Sequence, residues 1–404
     1  MKNNKSQNNI PDGWQYAKLG DFLEKMEGGG TPSKENEGFW CGTIPWASVK
    51  DVVTHNPHDT QDHISEDGLK NSSSRLVPKG TLVVPTRMAL GHAVVFNIDV
   101  AINQDLKALY PKKQLSNKFL FYWFESKKEF IKRLGSGSTV DGIQQNELKA
   151  IKFSLPPASE QKRIVSVLET LESVIEKLAK KIKARKNIKK GLMQNLLTGK
   201  VRLAGFKKKW EQCKVSDICE IKKGQDLSKE KLSSDGKYKC ILYGELYTKY
   251  SELIGNVLSR TNFKEGVISV SGDILIPAST TTSAMDLAIA ACLNEGDILL
   301  GGDINILRAK KKYDSRFLAL YLTHVKKHNL ARLAQGITIV HLYGKDFKKL
   351  SVEIPEIKEQ SAIADIFVAI DKEIEALNKK LMILKEQKKY LLNNLITGTI
   401  RTKA

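Results

Sequence analysis

The chain has 404 residues, 41% hydrophobic and 27% charged, with 65 Lys and Arg against 45 Asp and Glu. That fits a soluble globular protein of two or three domains. It excludes a bilayer span, because the longest apolar runs, such as "LAIAACL" at 287–293, are too short.

The opening "MKNNKSQNN" lacks an apolar stretch, so no signal peptide is read there and a cytoplasmic location is expected. Residues 1–154 read as one mixed α and β globule, with strands at "TLVVPT", "AVVF" and "KALYP" and a helix at "NKFLFYWFESKKEFIKRL". Residues 155–200 read as a long helix. Residues 201–352 form a second globule, with strands at "DILIPA" and "INILRA" and a helix or two over "SRFLALYLTHVKKHNLARL". Residues 353–404 hold a second long helix. No regular βαβ alternation occurs, so no Rossmann sheet is expected.

The helical segments are copies. Residues 156–202 align without a gap on 355–401, an offset of 199, with 18 of 47 positions identical; chance gives roughly three. One heptad phase runs through both. The first seam is Ile164, Leu168, Leu171, Ile175, Leu178, Ile182, Arg185, Lys189, Leu192 and Leu196. The second is Ile363, Phe367, Ile370, Ile374, Leu377, Leu381, Leu384, Lys388, Leu391 and Leu395. Apolar residues sustained at this spacing predict coiled-coil helices, entered after a proline and stopped at Thr-Gly (198–199, 397–398). About 40 residues make a rod near ~60 Å. Only about ten residues, "KVRLAGFKKK", link the first helix to the second globule, so the helices are expected to pair antiparallel. The globules match more loosely: Trp14 aligns with Trp210, Asp21 with Asp217, "KGTLVVPT" with "SGDILIPA", and "RLGSGSTVDGI" with "RLAQGITIVHL". The fold class expected is α+β: two pseudo-repeated mixed α/β globules separated by an antiparallel two-helix coiled coil.

Catalytic chemistry is hard to find. "EGGGTPSK" (27–34) interrupts a phosphate loop with Thr31 and Pro32, and proline lacks the amide a phosphate needs; it reads as a tight loop allowing close backbone approach. His55, His58 and His63 with Asp59 and Asp62 are metal-ligand types, but no regular frame fixes them, and a polar surface loop is the plainer reading. "LPPA" (155–158) lacks the amide and the ring of an adenine methyltransferase motif. Glu160-x-Lys162 and Glu386-x-Lys388 resemble a nuclease tail but lie on the coiled-coil helices. Five scattered cysteines (Cys41, Cys213, Cys219, Cys240, Cys292) contain no C-x-x-C pair, which argues against a disulfide framework or zinc ribbon. No catalytic, cofactor or metal residue is assigned.

A net charge of +20 favours a polyanionic partner, and nucleic acid is the usual one inside cells; an indifferent basic surface would give the same number. Polar, exposed-looking stretches recur in both globules. In the first, the candidates for nucleic-acid contact are Thr31, Ser33, Lys34, Trp46, Lys50, Arg87, Gln104, Arg133, Ser138, Thr139 and Gln144. In the second they are Lys223, Gln225, Tyr243, Tyr247, Lys249, Thr281, Arg332, Gln335, Thr338 and His341. Such side chains reach base edges or phosphates, although ordinary polar loops explain any one of them. The run "KLAKKIKARKNIKK" (177–190) has eight basic residues and no acidic one. It suits a solvated helix face, a backbone-facing rod or a dock for an acidic partner.

The paired helix entrances "PPASEQ" and "PEIKEQ", the exits "LMQNLLTGKVR" and "LLNNLITGTIR", and "GGTPSKENEGFWCGTIPWASVKD" resemble specificity subunits of Type I restriction-modification enzymes, over essentially the whole chain. In the last stretch Gly29, Gly30, Thr31, Pro32, Trp40, Gly42, Ile44, Pro45 and Trp46 carry the likeness. The second globule departs from that wording; its "GKYKCILYGELYTKY" is similar to a different class of recognition domain. The resemblance implies two target-recognition domains, each binding one half of a split, asymmetric double-stranded DNA site, with the helices as spacer. It also implies two methyltransferase subunits and restriction subunits as partners, which would supply S-adenosylmethionine, ATP and Mg²⁺ chemistry while this chain binds no cofactor and makes no bond. The residues alone leave two alternatives open: a self-sufficient methyltransferase or nuclease with hidden motifs, and a coiled-coil adaptor indifferent to sequence.

Overall fold

The computed structural model describes residues 10–135, 142–310 and 312–402. It divides into two units, Met1–Leu178 with Lys380–Ala404, and Ala179–Lys379. The four sequence segments thus recombine. Each globule takes part of both long helices, because the two antiparallel strips of seam are apolar and must be buried locally.

Unit 1 runs β1 (Gln15–Lys18), β2 (Leu23–Gly28), β3 (Ile44–Ala47), α1 (Val49–Val53), β4 (Asp62–Ile64), α2 (Glu66–Lys70), β5 (Arg75–Val77), β6 (Leu82–Pro85), β7 (Val94–Val95), β8 (Val100–Ile102), β9 (Leu106–Pro111), α3 (Asn117–Leu134), α4 (Gln145–Ala150) and β10 (Lys152–Leu155). It then enters α5 (Ala158–Leu196). Its sheets are β1-β10, the antiparallel β2-β9-β6-β7, and β4-β3-β8-β5, in which β3 and β8 are parallel. The helix α3 buries Phe119, Leu120, Trp123 and Phe124, spaced as one helix face, and Phe119 and Trp123 pack on Phe153.

Unit 2 repeats this order: β11 (Glu211–Lys214), α6 (Val215–Ile218), β12 (Cys219–Lys223), β13 (Tyr238–Ile241), α7 (Glu245–Thr248), β14 (Leu253–Ile254), β15 (Arg260–Thr261), β16 (Val267–Ile268), β17 (Asp273–Pro277), β18 (Ser279–Thr280), α8 (Ala284–Leu287), β19 (Ala291–Leu293), β20 (Leu299–Leu300), β21 (Ile304–Ala309), α9 (Ser315–His324), α10 (Lys327–Leu333), β22 (Val340–His341), α11 (Gly344–Phe347), β23 (Ser351–Ile354) and α12 (Ile357–Thr397). Three of its sheets follow those of unit 1, β11-β23, β12-β21-β17-β19-β14 and β15-β13-β20-β16 with β13 and β20 parallel; the strand β14, parallel to β19, and a separate β18-β22 pair are additions. The different wording of the second globule therefore decorates the same topology. The helical stretch 315–333 is two helices, because the N–H groups of Val325 and Lys326 both donate to the Tyr321 carbonyl and close the first one.

The long helices pair antiparallel within each unit. In unit 1, Glu160 meets Arg401 and Glu172 meets Lys388, and Ile164, Leu168, Leu392, Leu395 and Ile396 share one core. In unit 2, Glu359 meets Arg202, Asp371 meets Lys189 and Glu373 meets Arg185, while Met193, Leu196, Ile363 and Phe367 share another. The three polar seam positions Arg185, Lys189 and Lys388 are thus ion-paired. Every apolar seam residue is buried or half-buried. Both Thr-Gly exits end in left-handed glycines, Gly199 (φ 67°) and Gly398 (φ 74°). Past each glycine the chain folds back on the last helical turn, with the N–H of Val201 donating to the Asn195 carbonyl and that of Ile400 to Asn394.

The doubled Glu-Gln of the helix entrances builds the joint between globule and helix pair. In unit 1, buried Glu160 accepts from Trp14 Nε1 (3.0 Å) and from Arg401 Nε and Nη2 (2.8 and 2.9 Å). Gln161 accepts from the Ser116 N–H and donates to the carbonyls of Gln114 and Pro156, tying the start of α3 to α5. In unit 2, Glu359 accepts from Arg202 Nε and Nη2 (both 2.6 Å), and Gln360 accepts from the Asp314 N–H and donates to the Pro355 carbonyl.

Candidate nucleic-acid interface

Backbone hydrogen bonds put the two units in one register. Gly30 N–H donates to the Ile102 carbonyl as Gln225 N–H does to Leu300. Asn103 donates to Ala47 as Gly301 does to Ile241, Thr86 to Asp105 as Ala278 to Asp303, and Ile143 to Thr86 as Leu342 to Ala278. Glycine is required where the chain crosses between sheets: a Cβ on Gly29 would lie 1.8 Å from the Ile102 oxygen, and one on Gly224 2.1 Å from the Gly301 oxygen. This register equates Arg87 with Ser279, Met88 with Thr280, Gln104 with Gly302, Asp105 with Asp303, Lys107 with Asn305, Gly142 with His341 and Gln144 with Tyr343. One frame carries two different sets of side chains.

In unit 1 these positions line a cleft of about 750 Å³ walled by Arg87, Gln104, Asp105, Lys107, Gln144 and Glu147. Arg87 Nε stands 3.9 Å from Asp105 Oδ1, and Lys107 Nζ donates to the Gln104 carbonyl at 2.7 Å. Burial lowers the affinity of Lys107 for its proton; the Asp105 carboxylate opposes this and the Arg87 charge adds to it, with a net downward shift. The Arg87 and Lys107 charges share the cleft with the carboxylates of Asp105 and Glu147. A neighbouring hollow of about 650 Å³ is lined by Thr31, Lys34, Trp46, Lys50 and Gln104 among others, and Thr31 Oγ1 donates to Gln104 Oε1 at 2.6 Å.

In unit 2, Asp303 gathers the equivalent tip. Ser279 Oγ donates to it at 3.0 Å and Lys223 Nζ stands 3.6 Å away. Beside it a recess of about 640 Å³ is lined by Tyr243, Tyr247, Lys249, Gly302 and Asp303. The residues Gln335 to His341 close a short hairpin through two backbone hydrogen bonds of 2.8 and 2.7 Å, with Ile337 at its tip fully exposed. His341 stacks on Tyr343, 5.8 Å between ring centroids. Gln225, Thr281 and Thr338 are exposed on loops.

Trp46 edges the Thr31 hollow but is 5% exposed, donates Nε1 to the Gly30 carbonyl and meets Trp40 edge-on, so its indole braces the hollow from within. Other sequence candidates stand elsewhere. Ser33 caps its own loop by accepting from Glu35 N–H. Arg133 bonds the Glu129 carbonyl along α3, and Arg332 is exposed on α10; neither lines these recesses. Ser138 and Thr139 lie outside the described residues. His63 pairs with Asp59 at 2.9 Å, and no metal-binding cluster occurs among the described residues. Lys107, Asp105, Asp303 and Ser279 were not singled out from sequence; only their hydrogen-bond register places them at the tips. No helix among the described residues is long and apolar enough to cross a membrane.

Comparison with known proteins gives the family. The model of the Type I restriction modification DNA specificity domain matches residues 11–185 and again 207–386. The MjaIX specificity subunit of Methanocaldococcus jannaschii is 23% identical over 97% of this chain and 94% of its own. The EcoR124I/EcoR124II specificity subunit of Escherichia coli is 30% identical over 42% of this chain and 45% of its own. The crystal structure of a Type I S subunit from M. genitalium shares the fold, with a TM-score of 0.59 at 18% identity over 97% of this chain and 98% of that one. Matched twice along most of its length, the chain belongs to the Type I restriction modification DNA specificity family, as a recognition subunit that is not itself an enzyme.

Proposed function

We propose that each unit reads one half of a split DNA site through the tip positions set out above. In unit 1, Arg87, Gln104 and Gln144 face base edges, where Arg suits guanine and the Gln amides suit adenine. Lys34, Lys50 and Lys107 take phosphates and fix the register without specifying sequence. In unit 2 the same tasks fall to Gln225, Ser279, His341 and Tyr343, with Lys223 and Lys249 on the backbone and Tyr243 and Tyr247 in the adjoining recess. The observation that carries this reading is the shared hydrogen-bond frame, whose tip positions carry unlike side chains apart from the common Asp105 and Asp303.

The repeated joints, Glu160–Arg401 and Glu359–Arg202, offer matching surfaces to two copies of a methylating subunit, with two restriction subunits joining after them. The helix pair sets the gap between half-sites. S-adenosylmethionine, ATP and Mg²⁺ belong to those partners, none to this chain, and the assembly works in the cytoplasm. Exchanging residues 1–154 for the equivalent segment of another member, then mapping methylated bases, tests the assignment. One half-site changes if it is right; a change in both, or in neither, rejects it.

A further inference from the structure

Unit 1 carries an apolar feature that base-edge hydrogen bonding leaves unused. Met88 follows Arg87 at the corner after β6 and is 69% exposed; Val53, at the end of α1, is 63% exposed. Together they line a hollow of about 520 Å³ with Val49, Lys50, Asn103 and Asp105. The hollow is continuous with the proposed reading surface: it shares Asp105 with the Arg87 cleft, and Lys50 and Asn103 with the Thr31 hollow. Met88 is also held at φ 61°, left-handed backbone that a side chain other than glycine rarely takes. The Leu90 N–H bonds its carbonyl at 2.8 Å and keeps the corner turned outward. Such strain clusters at ligand-contacting sites, and an unbranched thioether adapts to the surface it meets. The equivalent residue of unit 2, Thr280, is buried.

We propose that the Val53–Met88 hollow receives the C5 methyl group of a thymine in the half-site read by unit 1. One A·T pair is then recognised by apolar contact, beside pairs read by hydrogen bonds. The major groove displays that methyl group at T alone, and Arg87 and Lys50 flank the hollow with the positive charge that draws the duplex in. The inference rests on the reading of the Asn103–Asp105 rim as the DNA face.

The test uses the full chain assembled with its methylating subunits. After the methylated motif is mapped, each thymine of both half-sites is replaced in turn by deoxyuridine, which removes only the methyl. One position, in the half-site that follows residues 1–154 on exchange, loses about fourfold in binding, the worth of one buried methyl. Met88→Ala abolishes that difference between thymine and uracil, and Met88→Leu retains it. A half-site with no methyl-sensitive thymine, or sensitivity that persists in Met88→Ala, overturns the inference. So does Met88→Ala weakening every sequence alike. Arg87→Ala separates the two failures: if it relaxes a half-site while every thymine methyl is silent, only the methyl contact is lost; if it relaxes neither, the reading of the rim fails.

Discussion

Glu160 and Arg401 lie 241 residues apart in the chain and meet through two hydrogen bonds of 2.8 and 2.9 Å, with the Trp14 indole N–H donating to the same carboxylate. The equivalent joint of unit 2 is not identical. Arg202 takes both oxygens of Glu359, and the buried Trp210 Nε1 has no hydrogen-bond partner. Trp14→Phe therefore removes a made hydrogen bond to a charged group and costs about 1.5–3 kcal/mol. Trp210→Phe removes a donor that bonds nothing and costs less. Denaturant unfolding of the two variants measures the difference, and equal losses would contradict the asymmetry.

Acid acts on two carboxylates. Burial would raise Glu160, but Arg401 and Trp14 outweigh it and hold the group below its usual range. Burial would also raise Glu252, yet the His324 hydrogen bond, its own backbone and the Lys189 charge bring it to about 2. Both folded values lie below the unfolded ones, so the unfolded chain binds more protons and stability rises with pH across this range and is lost on acidification. The contribution is complete above the usual value of 4.5 and disappears as pH drops towards 2. Urea midpoints measured from pH 7 to 3 fall below pH 4.5, and Glu252→Gln flattens part of that slope.

Glycine substitutions separate close packing from helix propensity. Gly29→Ala and Gly224→Ala force a methyl onto a backbone oxygen in each unit and destabilise by about 1–3 kcal/mol or more. Gly191, inside α5, has nothing within 4 Å of a built Cβ, so Gly191→Ala stabilises by about 0.5–1 kcal/mol. Thermal melts with opposite shifts are expected.

At the tips, Arg87→Ala relaxes one base pair of one half-site, with discrimination falling by about 1–3 kcal/mol. Lys107→Ala weakens all sequences alike and lowers the salt slope of binding by about one. Competition binding at several salt concentrations distinguishes the two.

The repeat, the helix limits and the seams were legible because period and punctuation are local: heptads at one phase, a proline before and a Thr-Gly after. The partner of each entrance glutamate was not legible. Glu160 finds Arg401 only after two remote segments fold antiparallel, although both residues stand in the repeated wording. The inward turn of the Trp46 indole was not legible either, because the Gly30 carbonyl that accepts from it lies 16 residues earlier on another segment. Asp105 and Asp303 escaped notice because nothing in "NQDLK" or "GGDIN" is alike beyond the aspartate; their equivalence lies in main-chain bonds from Thr86 and Ala278.

The last turns of α12 belong to the core of unit 1, where Leu392, Leu395 and Ile396 pack with Ile164 and Leu168. On the ribosome, at about 5–20 residues per second, Arg401 emerges roughly 10–50 s after Glu160. Residues 179–379, which supply all of unit 2, are synthesised in between. The globule begun first is therefore completed after the second, and the apolar face around Ile164 and Leu168 stays uncovered until Leu392, Leu395 and Ile396 have been made.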